Sequence, residues 1–300
     1  MTAAEGLAAA GPPSIAARLV RSTTDRRRAR FDVLMRGVAL LAAVACVIPL
    51  GAVIAFVAVN GAPALNLDLL TKPPRALGTG GGAASAILGS LQRIPLATLI
   101  ALPIGVGAAV YVAEFSGRRS ATIIRFAADV LVGIPSILVG IFVFTFLVLP
   151  FKQFNAFAGS VALALLMIPV IMRTTEEILR LVPGTLREAS LALGIPMWRT
   201  VISVVLRTGL TGILTGVMLA IARAFGETAP LLFTALGSRL VNVGDFSKPM
   251  DSMPVFIYTN ARQPFPALNQ QAWGVALLLL LIVLAINIAV RARSWRRGPT

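Results

Sequence analysis

Six runs of mostly apolar residues divide this 300-residue chain, at about 33–59, 86–113, 122–149, 157–172, 208–236 and 271–290. A helix needs roughly 20 such residues to cross a hydrocarbon core of about 30 Å. Five runs meet that length; 157–172 falls short but continues into a polar extension that still favours helix. Backbone groups in lipid must be satisfied within their own segment, so each run predicts a helix. No stretch of about ten residues alternates polar with apolar, which argues against a β-barrel. The pattern predicts an all-α, polytopic membrane protein with six transmembrane helices.

The polar intervals refine that outline. A short turn at 114–120 makes the second and third runs an antiparallel hairpin. Gly133-Ile134-Pro135-Ser136 interrupts the third run, and its proline predicts a kink. The charged interval 173–207, punctuated by Pro183-Gly184 and Ile195-Pro196, predicts helix–turn–helix–turn–helix. Gly78, Gly80, Gly81 and Gly82 after the first run predict a flexible joint, with 33–59 a peripheral helix. The loop 237–270 carries Pro249, Pro254, Pro264 and Pro266, and reads as a lid, a docking surface or an ordinary structured loop.

With 57% hydrophobic and 13% charged residues and a mean hydropathy of +0.86, the chain cannot present a water-soluble surface. The net charge of +15 is unevenly placed. Arg26, Arg27, Arg28 and Arg30 precede the first run, Arg118 and Arg119 lie between the second and third, and Arg187, Arg199 and Arg207 precede the fifth. Arg291, Arg293, Arg296 and Arg297 follow the last, while the opposite loops hold few basic residues, Arg75 and Arg239 among them. The positive-inside bias puts both termini in the cytoplasm, and this placement argues against a nucleic-acid partner. Residues 1–32 and 292–300 read as basic cytoplasmic tails, the first disordered and not a signal peptide. One cysteine, Cys46, allows no intrachain disulfide, and the absence of histidine removes the usual metal ligand and proton relay. No catalytic or metal-binding residue is expected.

Two polar segments carry chemistry. Glu188-Ala189-Ser190, with Gly194 four residues on, is a short helix with small residues on one side and a glycine stop. It suits either an interfacial helix under the bundle or the close approach of another protein. The second segment is Arg223-Ala224-Phe225-Gly226-Glu227-Thr228. Arg223 falls near the middle of the fifth run, where a charge costs at least about 2.5–3.5 kcal/mol. Glu227 lies one turn on, on the same face. Either the two form a self-neutralising pair, or Arg223 faces a polar path and binds an anion through its bidentate fork, with Thr228 beside it. Arg173 likewise either snorkels to the interface beside Glu177 or makes a second anion contact. Depth leaves the role of Arg93 open.

The first segment resembles the loop signature of ABC-importer permeases: Glu-Ala-Ala, three residues, Gly, nine residues, Ile-x-Leu-Pro. Glu188, Ala189, Gly194 and Leu206 match it; Ser190, Val204 and Arg207 depart from it. The resemblance implies the type I (MetI-like) architecture, with 183–199 as the segment that couples to a separate ATPase. The chain has no Gly-x-x-x-x-Gly-Lys-[Ser/Thr] loop and cannot hydrolyse ATP itself. Gly226-Glu227-Thr228-Ala229-Pro230-Leu231, Gly133-Ile134-Pro135-Ser136 and Arg173-Thr174-Thr175-Glu176-Glu177 closely resemble phosphate-specific permeases of the PstA type. That resemblance implies a permease core of five transmembrane helices at 81–291 in the bacterial cytoplasmic membrane. It further implies two ATPases of the PstB type holding ATP and magnesium, a second permease of the PstC type, and a phosphate-binding protein of the PstS type. Sulfate or molybdate as cargo, and an ion-coupled secondary carrier, remain the alternatives.

Overall fold

The computed structural model describes residues 23–75 and 81–295. Residues 1–22 and 296–300 of the expected tails lie outside it, as do Gly78 and Gly80 of the glycine run. Among the described residues every regular element is a helix. Five are long and apolar enough to cross a membrane, or six if one bent pair counts as a span.

The chain divides into two compact units at Phe56 and Val57. The first is most of helix α1, Thr23–Gly61, which begins ten residues ahead of the predicted span and whose apolar residues, from Phe31 to Phe56, are exposed.

The second unit is built around α6, Ala156–Leu181, which packs against α3 (Ala84–Val110) on one side and α9 (Leu206–Phe225) on another. Asn155 starts α6, its side chain accepting the Ala158 amide at 2.7 Å. Ala158, Leu163, Met167, Ile171 and Leu179 are all buried, as expected of a helix enclosed by others. The helix passes the predicted end at 172 without a break, so the polar extension is its last turns. Glycines let α9 approach: Gly209 and Gly212 face Ile178, and Gly216 faces Thr174. Positions rising on α9 meet positions falling on α6, so the two helices are antiparallel.

Two sequence boundaries move. The third run is not one kinked helix but two, α4 (Arg118–Gly133) and α5 (Ser136–Val143), with 100° between them. Pro135 drives Ile134 to an extended conformation, φ −69° and ψ 129°, and the helix stops rather than bends. The fifth apolar run covers 208–236, yet the helix spans Met197–Phe225, comprising α8 (Met197–Thr200), a π-helical turn and α9. A break at Gly226–Thr228 follows, then the short α10, Ala229–Thr234. Arg207 therefore lies inside a continuous helix.

The charged interval forms the predicted helix–turn–helix–turn–helix: the end of α6, then α7 (Gly184–Ala192), then α8. The loop 237–270 holds α11, Met253–Asn260, whose first turn is buried, and leads into α12, Pro266–Trp295. Gly82 contributes close packing rather than looseness, since a Cβ there would meet Asp68 O at 2.1 Å, next to α2 (Leu67–Thr71).

Candidate functional site

The expected site residues occupy three places. At one end of the unit, α7 lies outside the core and is tied to it by Arg187. Its Nη2 donates to Glu114 Oε1 at 2.6 Å and Leu179 O at 2.9 Å, its Nε to Glu114 Oε2 at 3.0 Å, and its Nη1 to Val182 O at 2.7 Å. Glu114 sits in the π-helical turn that ends α3, with 3% of its side chain exposed. One guanidinium thus joins α7 to the ends of α3 and α6. The bonds to Glu114 hold its proton and raise its pKa. Ser190, on the inner face of α7, shares a buried hydrogen bond of 2.8 Å with Thr200 of α8. Gly194 closes the turn at φ +75°, a conformation natural to glycine, with its amide bonded to Leu191 O at 2.9 Å. Glu188 and Ala189 face outward beside Leu191, Leu193 and Trp198. Of the four residues expected to couple, three form an exposed surface and Ser190 fastens it from behind.

Arg173 lies on α6 and is held by Asp129 of α4, its Nε donating to Oδ1 at 3.0 Å and its Nη2 to both carboxylate oxygens. Glu176 is 3.9 Å away, while Arg125 and Arg180 reach the same Glu176 at 2.6 and 2.7 Å. The partner expected from the sequence, Glu177, is instead exposed. The reason is angular: i,i+3 and i,i+4 neighbours are both in reach on one helix, but only Asp129 offers both oxygens to the fork.

Arg223 occupies the last turn of α9, not the middle of a span, because the helix ends at Phe225. Its Nε lies 3.5 Å from Glu227 Oε1, the predicted pair, with 48% of the arginine side chain exposed. Thr228 sits at the start of α10. The helices that follow the two breaks pack on each other: a Cβ on Gly140 of α5 would lie 2.6 Å from Pro230 Cα of α10. The helices that follow the two motifs, about ninety residues apart in sequence, are neighbours here. Arg173 and Arg223 do not meet. Gly216 faces Thr174, and seven further residues along α9 carry Arg223 about 10 Å past that level.

Sequence reasoning missed Glu114, Asp129 and Glu176 as partners. Glu114 and Glu176 lie just beyond apolar runs and Asp129 in the first turns of one, positions that favour ion pairing with the basic residues nearby. Spacing does not reveal which arginine it meets, since Arg187 is 73 residues from Glu114. Arg93 is buried outright, donating from Nε to Gly89 O at 3.2 Å and from Nη2 to Asp251 O.

Residues 101–293 match the family described as binding-protein-dependent transport system inner membrane component. The phosphate transport system permease protein PstA of Pasteurella multocida is 44% identical over 233 residues, 77% of this chain and 83% of that protein. PstA 1 of Mycobacterium tuberculosis is 43% identical over 211 residues, 70% of this chain and 68% of that one. Among solved structures, the methionine ABC transporter MetNI in an inward-facing conformation superposes with a TM-score of 0.57 at 19% identity, covering 73% of this chain and 95% of that one. An amino acid ABC transporter gives 0.54 at 15% identity, covering 71% and 92%. The structures establish the MetI-type fold and the relatives the lineage: the chain belongs to the binding-protein-dependent transport system inner membrane components and, within them, to the PstA-type permeases.

Proposed function

We propose that the chain is the transmembrane permease subunit of an ATP-driven inorganic phosphate importer, a multi-pass inner-membrane transport component rather than an enzyme. The observation that carries the coupling role is α7, a helix outside the core that is tied to α3 and α6 by Arg187 and presents Glu188, Ala189 and Leu193 outward. Such a lever suits a groove on a separate ATPase, of the PstB type, that holds ATP and magnesium; this chain holds neither. A second permease of the PstC type completes the path, and a phosphate-binding protein of the PstS type delivers cargo to the opposite end. The basic end bearing α7 is the cytoplasmic one, with both termini on that side, as positive-inside bias requires.

Arg223 and Arg173 are the anion contacts in this reading. Each is held by a carboxylate here, Arg223 by Glu227 and Arg173 by Asp129. A passing phosphate must displace that carboxylate, so the arginines bind without trapping, as alternating access demands. Thr228, at the break beside Glu227, offers a hydroxyl to the same anion. The relatives' names favour phosphate over sulfate or molybdate, which the arginine chemistry alone does not separate.

The test is uptake of radiolabelled phosphate into vesicles by the assembled complex. Arg223→Ala is expected to abolish uptake while the complex still purifies intact, and Glu188→Lys to release the ATPase. Sulfate uptake in place of phosphate by the native complex, or full uptake by the Arg223 variant, would overturn the reading.

A further inference from the structure

At the end opposite α7 lies a cavity of about 230 Å³ that the path described above does not use. That is far above the roughly 10–15 Å³ a single water needs, and ample for a tetrahedral oxyanion. It is lined by Arg75, ahead of α3, and by Ser238 and Arg239, just after α10. Neither guanidinium has an ion-pair or hydrogen-bond partner among the described residues. Both guanidiniums are exposed at the rim of one concavity, where their charge favours an anion.

Asp251 also lines the cavity, mostly buried, and is fixed in place by three contacts. Its Oδ1 accepts the Ser252 amide at 2.7 Å, and its carbonyl accepts from the buried Arg93 behind it. Its main chain lies so close to α3 that a Cβ on Gly89 would meet Asp251 O at 2.2 Å. Burial pushes the Asp251 carboxyl up to about 6, against the opposing pull of the Ser252 amide and of Arg93. The chain reaches the cavity through two successive left-handed residues, Leu236 at φ +47° and Gly237 at φ +56°. For leucine that conformation is unfavourable, and the side chain is exposed, so packing does not repay it. The turn does, however, bring Ser238 and Arg239 to the rim.

We propose that this cavity is a receiving site for a protonated tetrahedral oxyanion, monohydrogen or dihydrogen phosphate. Arg75 and Arg239 take its oxygens, and Asp251 accepts a hydrogen bond from its hydroxyl. The carboxylate is the discriminating element. A fully deprotonated oxyanion such as sulfate offers Asp251 no proton and meets only repulsion from it. In sequence the break at 226–228 and α10 separate Arg223 from Ser238, and the site lies at the mouth where cargo arrives. It rests on the reading of this end as the outer mouth of a phosphate path.

The experiment localises binding to the cavity. Ser238→Cys is introduced in the assembled complex with Cys46→Ser, Cys46 being the native cysteine of this chain. The rate of labelling of this subunit by N-ethylmaleimide, a neutral reagent, is measured against inorganic phosphate and against sulfate. Phosphate is expected to slow labelling at least tenfold in a saturable way, and sulfate to do so only at much higher concentration. Adding Arg75→Gln and Arg239→Gln should remove the protection. Asp251→Asn should leave phosphate protection but bring sulfate to within about threefold of it. Arg223→Ala should abolish uptake and keep the protection. Absence of phosphate protection in the Ser238→Cys complex, or unchanged protection in the double arginine variant, overturns the site. Equal protection by sulfate overturns the role of Asp251. Uptake measured in parallel separates these outcomes from failure of the transport reading, which would show as a complex that carries no phosphate.

Discussion

Arg187 and Asp251 show how differently two ionisable side chains are housed in one protein. Arg187 makes four hydrogen bonds, to Glu114 and to the carbonyls of Leu179 and Val182, and Glu114 is almost fully buried. Removing the guanidinium leaves a buried carboxylate without a counter-ion, a loss of about 3–5 kcal/mol. Arg187→Ala should therefore lower the thermal midpoint of the purified complex sharply, and Arg187→Ala with Glu114→Gln should recover part of the loss. Asp251 is the reverse case. Its folded pKa of about 6 lies above the ordinary 3.8 because burial penalises the charge. The native state thus holds this proton more tightly than the unfolded chain, and stability falls as pH rises from about 4 to 6. The cost is fully present above that window, at about 3 kcal/mol for a shift of about two units. Asp251→Asn should accordingly raise stability at pH 7 and change it little at pH 4. A variant-minus-native difference in denaturation midpoint that does not grow with pH would show that Asp251 carries no such cost.

At the level of elements, the two breaks define where the helices meet. Gly133 and Gly140 lie seven residues apart, and only Gly140 is pressed against a neighbour: a Cβ there would sit 2.6 Å from Pro230 Cα, whereas one at Gly133 meets nothing within 4 Å. Backbone cannot rotate away as a side-chain tip does. Gly140→Ala should thus part α5 from α10 and cost about 1–3 kcal/mol, as overpacking does, while Gly133→Ala stays within about 0.5 kcal/mol of native. Thermal unfolding of the two variants side by side checks this; equal midpoints would mean that the α5–α10 contact is slack. Much of this architecture was legible in the sequence. Apolar run length placed the helices, and Pro183, Gly194 and Pro196 placed the ends of α7. What the sequence did not carry was angle and depth. Pro135 announced a kink but not 100°, because the direction of the chain after a proline depends on what the next helix packs against. Arg223 looked central because Ala229-Pro230-Leu231-Leu232 continued the apolar run, although Gly226 had already ended the helix. Glu227 came through correctly since i,i+4 spacing is local; Asp129 did not, since it reaches Arg173 from 44 residues away.

For the whole molecule the question is how motion at α7 reaches the arginines more than a helix turn away. Arg187 ties α7 to the ends of α3 and α6, and α6 carries Arg173. Ser190 ties α7 to Thr200, on the same continuous helix whose last turn carries Arg223. A push on α7 therefore reaches both of the proposed anion contacts through separate connections, provided the turn at Gly194 does not flex. Packed helices transmit displacement as bodies, so the arrangement predicts a rigid lever rather than a hinge. The two oxygens of Ser190 and Thr200 are 2.8 Å apart, close enough for cysteines at these positions to be oxidised to a disulfide. In the assembled complex with Cys46→Ser, Ser190→Cys with Thr200→Cys locks α7 to α8 across the Gly194 turn. If the lever is rigid, the lock forbids nothing that occurs during transport. ATP-driven phosphate uptake should stay within about twofold of the reduced complex, with thiol titration confirming that the bridge has formed. Loss of uptake on oxidation, restored by reductant, would instead make Gly194 the moving joint and assign the transmission to Arg187 alone.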